Sequence, residues 1–402
     1  MSVTPNANTF PSDPVAAVTH RDPYPYYADL VATKPLYRDS ALGLWVASSA
    51  HAVTAALTHE ACRVRPAAEP VPRAIADSPA GGIFGRLVRM NDGPGHCPFK
   101  TAVAAALASL EPAEVMERAQ TCAEAIAQEL QPTANPAALT DFAFRLSAHV
   151  MGSLLGVPRE KLNQTAQWVG DFVRCVFPGG TTDDVERGKL AAAALLELFG
   201  DVYACGRARP GTGLLTTLTH EAERAGRAAA DVIIANSIGF LSQAYEATAG
   251  LIGNSLLALA ARPELRERIA NERAGAREMI LEVLRYDPPT HNTRRFLAQD
   301  ANVAGQDMKA GDAILVVLAA ANRDPAANPE PHRFEPSRRE RRLYTFGAGV
   351  HSCPGDLYAI AIAEAAVLHL LDAGLDVDRM TAEIAYRPSA NTRIPLFGGR
   401  RA

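Results

Sequence analysis

This chain of 402 residues carries little that serves export, cross-linking or an excess of charge. Its six cysteines, at 62, 97, 122, 175, 205 and 353, form no C-x-x-C pair. That excludes a structural zinc site of the usual spacing and a cysteine-ligated iron–sulfur cluster, and it fits reduced thiols better than a disulfide framework. A formal net charge of −4 speaks against a nucleic-acid binder. The opening M-S-V-T-P-N-A-N-T-F has neither a basic n-region nor an apolar core, so no secretory signal or membrane anchor is expected and the protein reads as cytoplasmic. No internal repeat, convincing linker or flavin fingerprint is evident. With 48% hydrophobic residues, what is left is a soluble globular chain able to bury a large core around a small-molecule site.

The pattern along the chain is mostly helical. Proline and tyrosine crowd the opening, L-W-V-A near residue 45 suggests a short strand, and Arg65 to Gly82 reads as a long irregular loop. From the alanine-rich run after N-D-G-P-G-H-C-P-F-K to about Gly275, helices alternate with short Pro or Gly breaks. After Pro288, R-F-L-A, A-N-V-A and A-I-L-V-V read as short strands with turns at Ala304-Gly305 and Ala310-Gly311. Between Asp231 and Arg262 lies a proline-free run, roughly 45 Å long if helical. Its polar breaks argue against a membrane span. Asn236, Gly239, Gln243, Glu246, Gly250 and Asn254 recur three or four apart and form one small or polar stripe. Glu246, the single formal charge within that run, should be paired, hydrated or protonated.

Chemistry concentrates in Phe346 to Gly355, F-G-A-G-V-H-S-C-P-G. Gly347, Gly349 and Gly355 are expected to make positive-φ bends that bring amides toward Cys353. The helical run from about Asp356 to Leu371 would place that sulfur at a helix N-terminus, where a thiolate is favoured. Such a sulfur can bind a soft metal or act as a nucleophile. Upstream, Glu282 and Arg285 share a helix face and can pair, and P-H-R-F follows at Pro331 to Phe334.

In this order the signals resemble those of a cytochrome P450, a haem-thiolate enzyme of the soluble bacterial kind. Phe346, Gly347, Gly349, His351, Cys353 and Gly355 match every fixed position of its F-G-x-G-x-H-x-C-x-G motif. The resemblance implies one domain over 1–402, mainly α with small β sheets: a triangular helical body around a buried haem b, with a β-rich portion from the N-terminal region and from about 288–320. It implies Cys353 as the iron ligand, with Phe346 and Gly347 beside it. His96, Lys100, Arg295 and His351 become haem-propionate contacts, Lys100 standing where the family usually has arginine. Glu282, Arg285 and Arg333 become the buried charge network.

The implied catalytic stretch is Gln243, Glu246, Ala247 and Thr248. Ala247 stands where the family commonly has a threonine whose hydroxyl helps deliver protons during oxygen activation. A substrate hydroxyl, an ordered water, or an oxygen groove reshaped by Gln243 or Tyr245 would then have to compensate. The implied substrate pocket includes Ile83, Phe84, Thr290 and His291. The expected reaction is oxidation, hydroxylation first among the options, of a small or medium-sized metabolite. Electrons would come from an external ferredoxin or flavodoxin with its reductase, docking on Arg338, Arg339, Arg341 and Arg342. Coupling, desaturation or peroxide-driven oxidation, and a haem-binding scaffold without catalysis, are the alternatives.

Overall fold

The computed structural model describes residues 10–93, 96–176, 180–208, 213–380 and 383–398, with the side chain of Cys97 also left outside. Residues 1–9, on which the expectation of no leader rests, lie outside the described residues. Helices α1 (Tyr24–Thr33), α2 (Ala50–Thr58) and α3 (Pro79–Arg86) lead into α4 (Cys97–Ala108), α5 (Pro112–Leu130), α6 (Leu139–Leu154), α7 (Leu162–Val176) and α8 (Thr182–Ala208). Next come α9 (Leu214–Arg224), α10 (Ala230–Ala261), α11 (Pro263–Asn271) and α12 (Gly275–Tyr286), and finally α13 (Leu318–Asn322), α14 (Asp356–Asp372) and α15 (Val377–Met380). Strands β1 (Leu36–Asp39), β2 (Leu44–Ala47), β3 (Cys62–Arg63), β4 (Thr293–Leu297) and β7 (Ala313–Val316) form one sheet in the order β1-β2-β7-β4-β3. The hairpins β5 (Ala301–Val303) with β6 (Gln306–Met308), and β8 (Ile384–Tyr386) with β9 (Pro395–Phe397), stand apart from it. The fold is mainly α with small sheets.

The main sheet joins the two ends of the chain, because β2 runs parallel to β7 with Trp45 opposite Ile314. Alternation in L-W-V-A buries Leu44, Val46 and Ala47. Ala304 and Gly305 adopt φ of 48° and 86°, the left-handed pair that closes β5 on β6. The stretch read as an irregular loop is irregular up to Ser78 apart from a 3-10 turn at Arg73–Ile75, but its last four residues open α3. Pro79 occupies its first turn, and the Ser78 hydroxyl accepts from the Gly81 amide at 3.4 Å, so residues that look like breakers act as a cap. Gly81 is required there: a Cβ would lie 2.2 Å from the Ile75 carbonyl oxygen.

Helix α10 crosses the centre of the molecule against α6, α12 and α14. Its small and polar stripe divides into two uses. Gly250 and Gly253 admit Pro289 and Pro395, each of which a Cβ would meet at 2.9 Å, while Asn254 Nδ2 donates to the Asp287 carbonyl at 2.9 Å. Between the packed ends, Gln243, Ala244 and Glu246 to Thr248 turn toward a cavity. The helical stretch Gly349–Asp372 has the length and hydropathy of a membrane span, but its α14 portion packs on α5, α10 and α12 as a core helix.

A fully buried ion pair holds the approach to the cysteine loop. Arg285 Nη2 donates to Glu282 Oε1 at 2.6 Å, and both side chains are 0% exposed. Arg285 also donates to the carbonyls of Pro331 at 2.8 Å and Arg333 at 2.9 Å, while the Glu335 amide donates to Glu282 Oε1 at 2.9 Å. Burial pushes the Glu282 carboxyl up, but the hydrogen bonds and charge of Arg285 more than reverse this, so its pKa lies below the usual range. The expected third member is corrected. The Arg333 side chain is 60% exposed and turns to Glu330 and Glu335, contributing only its carbonyl. Arg341, 3.0 Å from Glu282, and Arg338, 3.7 Å away, take that place. The four-arginine docking patch is corrected with it, since Arg338 and Arg341 are turned inward and only Arg339 and Arg342 are exposed.

Glu282→Ala therefore strands three guanidinium groups and should cost about 3–5 kcal/mol, whereas Arg333→Ala should stay within about 0.5 kcal/mol. Urea unfolding of the two variants checks this; equal losses would contradict the reassignment.

Candidate active site

One cavity of about 970 Å³ lies between α10 and the cysteine loop. Cys353, Phe346 and Gly347 form one wall, and Gln243, Glu246, Ala247 and Thr248 form the facing one. The loop is closed by the Cys353 amide donating to the Phe346 carbonyl at 2.8 Å. Gly347 and Gly349 have the expected positive φ, 70° and 67°, but Gly355 is corrected: its φ is absent from the positive set and stands at −111°. Its amide still donates to Cys353 Sγ, at 3.4 Å. The thiol is not biased toward thiolate by the protein alone. Burial pushes its pKa up, and the Gly355 amide and Lys100 offset this only in part. A bound metal would supply the missing positive charge.

Four nitrogen-bearing side chains gather on the same cavity: His96, Lys100, Arg295 and His351. His96 is 2% exposed, and both of its ring nitrogens are buried without a partner among the described residues. Burial, helped by His351 and Lys100, lowers its pKa to about 4. The His351 ring lies 4.3 Å from that of His96, and its Nε2 meets Asp92 Oδ1 at 2.9 Å. Lys100 Nζ donates to the Ser352 carbonyl at 2.7 Å, tying α4 to the cysteine loop. Arg295 is 6% exposed and directs Nη1 to the Arg294 carbonyl at 2.9 Å. An unpartnered His96 with three cationic or ring-nitrogen side chains at one side of a large cavity, and a thiol opposite a helix, fit a flat ligand that carries carboxylates and a thiolate-seeking metal. The residues present thus fit haem b.

Glu246, the acid in the middle of α10, is largely buried and has a partner that the sequence did not disclose. Its Oε1 lies 2.5 Å from Arg387 Nη1, and Thr392 Oγ1 donates to Oε2 at 3.4 Å. A bridge between Thr290 and Thr392 holds this return of the chain against the segment after Pro289. Gln243 Nε2 donates to its own helix, at the Gly239 carbonyl, over 2.8 Å. Tyr245 lies against Phe144 and Gly170 instead of lining the cavity, so it cannot reshape an oxygen groove. Thr248 lines the cavity beside Ala247, and its hydroxyl makes no hydrogen bond among the described residues.

Two pocket residues are corrected. Phe84 and Thr290 line the cavity, but Ile83 is packed in the helical core and His291 faces the other way. His291 is fully buried, with Nδ1 2.9 Å from the Tyr27 hydroxyl. Burial, with Arg393 and Arg323 nearby, holds its pKa well below the ordinary value.

Comparison with known proteins follows this geometry. Residues 207–373 match the family model described as Cytochrome P450. The chain is 28% identical over 297 residues to the putative cytochrome P450 133B2 of Xylella fastidiosa strain 9a5c, covering 74% of each. It is 24% identical to the biotin biosynthesis cytochrome P450 of Bacillus subtilis strain 168 over 94% of each. Among solved structures, that of CalO2 superposes with a TM-score of 0.82 at 25% identity, covering 97% of this chain and 98% of that one.

The state of His96 gives a pH prediction. Its folded pKa, about 4, lies below the ordinary 6.5, so between these values the unfolded chain takes up a proton that the folded one refuses. Stability of the chain with nothing bound should therefore fall as pH drops through that window. His96→Gln should flatten this part of the curve. Urea midpoints between pH 7 and pH 4 test it; an unchanged slope in the variant would refute it.

Proposed function

We propose, from the premise that the chain belongs to the cytochrome P450 family, a reading of how its own residues serve the reaction. The protein is a haem-thiolate monooxygenase that oxidises a small organic molecule with O2 and electrons from a separate redox partner. The observation that carries the site assignment is the single cavity shared by Cys353, the orphaned His96 and the Glu246–Thr248 face of α10.

When bound, haem supplies the oxidising power; the protein supplies the ligand, the orientation and the protons. Cys353 Sγ would be the iron ligand, and His96, Lys100, Arg295 and His351 would hold the propionates. Asp92 fixes the His351 ring through its 2.9 Å contact with Nε2. On the opposite wall, Ala247 offers no hydroxyl. Glu246 is the remaining acid, but Arg387 occupies one carboxylate oxygen and Thr392 approaches the other. Proton passage at Glu246 then requires Arg387 to swing clear, with the free Thr248 hydroxyl, the substrate or a water completing the path.

The electron donor we assign is a ferredoxin or flavodoxin. Support comes from the segment around the cysteine loop, in which Arg339 and Arg342 are exposed ahead of it and the apolar Val350, 64% exposed, and Leu357, 44% exposed, lie within and after it. A cytoplasmic location suits such a soluble donor.

The test is turnover of a bound substrate with a surrogate ferredoxin and its reductase, and separately with hydrogen peroxide alone. Ferredoxin-driven oxidation is expected, slowed on the order of a hundredfold in Glu246→Gln and reduced more slowly in the Arg339→Glu, Arg342→Glu double variant. Turnover with peroxide only would overturn the assignment of electron donor and proton acid together.

A further inference from the structure

Arg89 is a partly buried cation at the cavity that no acid neutralises among the described residues. Arg89 lies in the short 3-10 turn Val88–Met90 and lines the cavity, and its Nε is shielded from solvent without a hydrogen-bond partner. Among the described residues no ion pair engages its guanidinium. Burial alone lowers its pKa to about 10, with no charged neighbour contributing. It is therefore still charged at neutral pH, and an uncompensated buried charge is costly.

The turn that carries it is pinned on every side. The Val88 amide donates to Asn236 Oδ1 at 2.7 Å, and Asn236 Nδ2 donates to the Arg86 carbonyl at 2.9 Å. Asn91 Nδ2 donates to the carbonyls of Leu87 at 2.8 Å and Gly85 at 3.0 Å. Gly239 lets the turn sit down on α10, since a Cβ there would lie 2.8 Å from Leu87 Cδ2. Such anchoring fixes where the guanidinium can reach.

Of the cavity's other arginines, Arg294 is exposed to solvent and the rest are engaged. Arg387 pairs with Glu246, Arg174 with Asp171 at 3.8 Å, and Arg65 donates to Asn91 Oδ1 at 2.8 Å. Nor does Arg89 belong to the group expected to hold the propionates. Among the described residues no hydrogen bond or ion pair joins Arg89 to Asp92, His96, Lys100, Arg295 or His351.

We propose that Arg89 is the substrate-recognition residue for a carboxylate, so that the monooxygenase takes an organic acid whose head group pairs with this guanidinium. The proposal rests on the monooxygenase reading and adds its substrate class. Asn236, which holds the Arg89 turn, precedes Ala247 by eleven residues, about 16 Å along the helix. Phe84, Val88, Phe240 and Ala244 line the cavity with them and offer an apolar track. The oxidised carbon therefore lies far from the carboxylate, toward the other end of the molecule. A monoanion suits a lone guanidinium, which accepts a carboxylate through two parallel hydrogen bonds; a phosphate dianion would leave a charge uncompensated.

The experiment titrates the haem-loaded protein with saturated acids from octanoic to hexadecanoic and with their methyl esters, following the substrate-induced absorption shift. Wild type should bind its best acid about tenfold to a hundredfold more tightly than the matching ester. Arg89→Gln should erase that ratio while ester binding and haem content stay unchanged, and Arg89→Lys should retain part of it. Equal binding of acid and ester in wild type, no shift with any acid, or a ratio that survives in Arg89→Gln overturns the proposal. So does loss of haem from Arg89→Gln, which would give the guanidinium to a propionate. Should that variant fail to fold, the wild-type ratio and its fate in Arg89→Lys decide. Failure of the family reading is distinguishable, because wild type would then lack a thiolate-type spectrum whatever acid is added.

Discussion

The Glu282 carboxylate is the fixed point from which the cysteine side of the molecule is built. It is removed from water, so its charge must be answered within the protein, and Arg285, Arg341 and Arg338 answer it along with the Glu335 amide. Replacing such a cluster with apolar residues need not destabilise a fold, so its worth lies elsewhere. Arg285 spends two remaining donors on the carbonyls of Pro331 and Arg333, and thereby holds irregular chain that has no sheet or helix to fix it. That chain runs directly into Tyr344 and the loop that presents Cys353. The network thereby restrains the segment from which the cysteine loop departs.

Facing it, α10 does two jobs that pull in opposite directions. Its glycines allow prolines and backbone within contact distance, which rigidifies the helix in the core. Its middle must stay open to the cavity and carry polar groups. The compromise is visible at Glu246, whose charge is satisfied by Arg387 from the hairpin end of the chain. The acid is thus tolerated in a largely buried site by being occupied, and Ala247 beside it contributes no hydroxyl. Substrate that reaches this wall is in a position to disturb the pair.

Much of the cysteine side was legible because its determinants are local. F-G-A-G-V-H-S-C-P-G and E-V-L-R state their geometry within a few residues, and the helix that follows Cys353 is announced by its apolar spacing. What escaped notice depends on contacts between distant segments or on which way a side chain turns. Arg387 lies 141 residues from Glu246 and belongs to no pattern. Choosing Arg333 over Arg341 required knowing how irregular chain folds back on Glu282. After Pro289 the chain is extended, so Thr290 and Asn292 face the cavity while His291 faces Tyr27, an alternation that residue type alone does not orient. Asp92 stood inside a motif that was noticed for its histidine, and α3 was hidden because a proline and two glycines at a helix start resemble a loop.

The central claim is that Cys353 ligates haem iron as a thiolate. It is tested most directly by the absorption spectrum of the reduced, carbon monoxide-bound protein. The account predicts the red-shifted Soret band of a thiolate-ligated haem in wild type and its loss in Cys353→His. A wild-type spectrum without that band, or a band that persists after Cys353 is replaced, would contradict it.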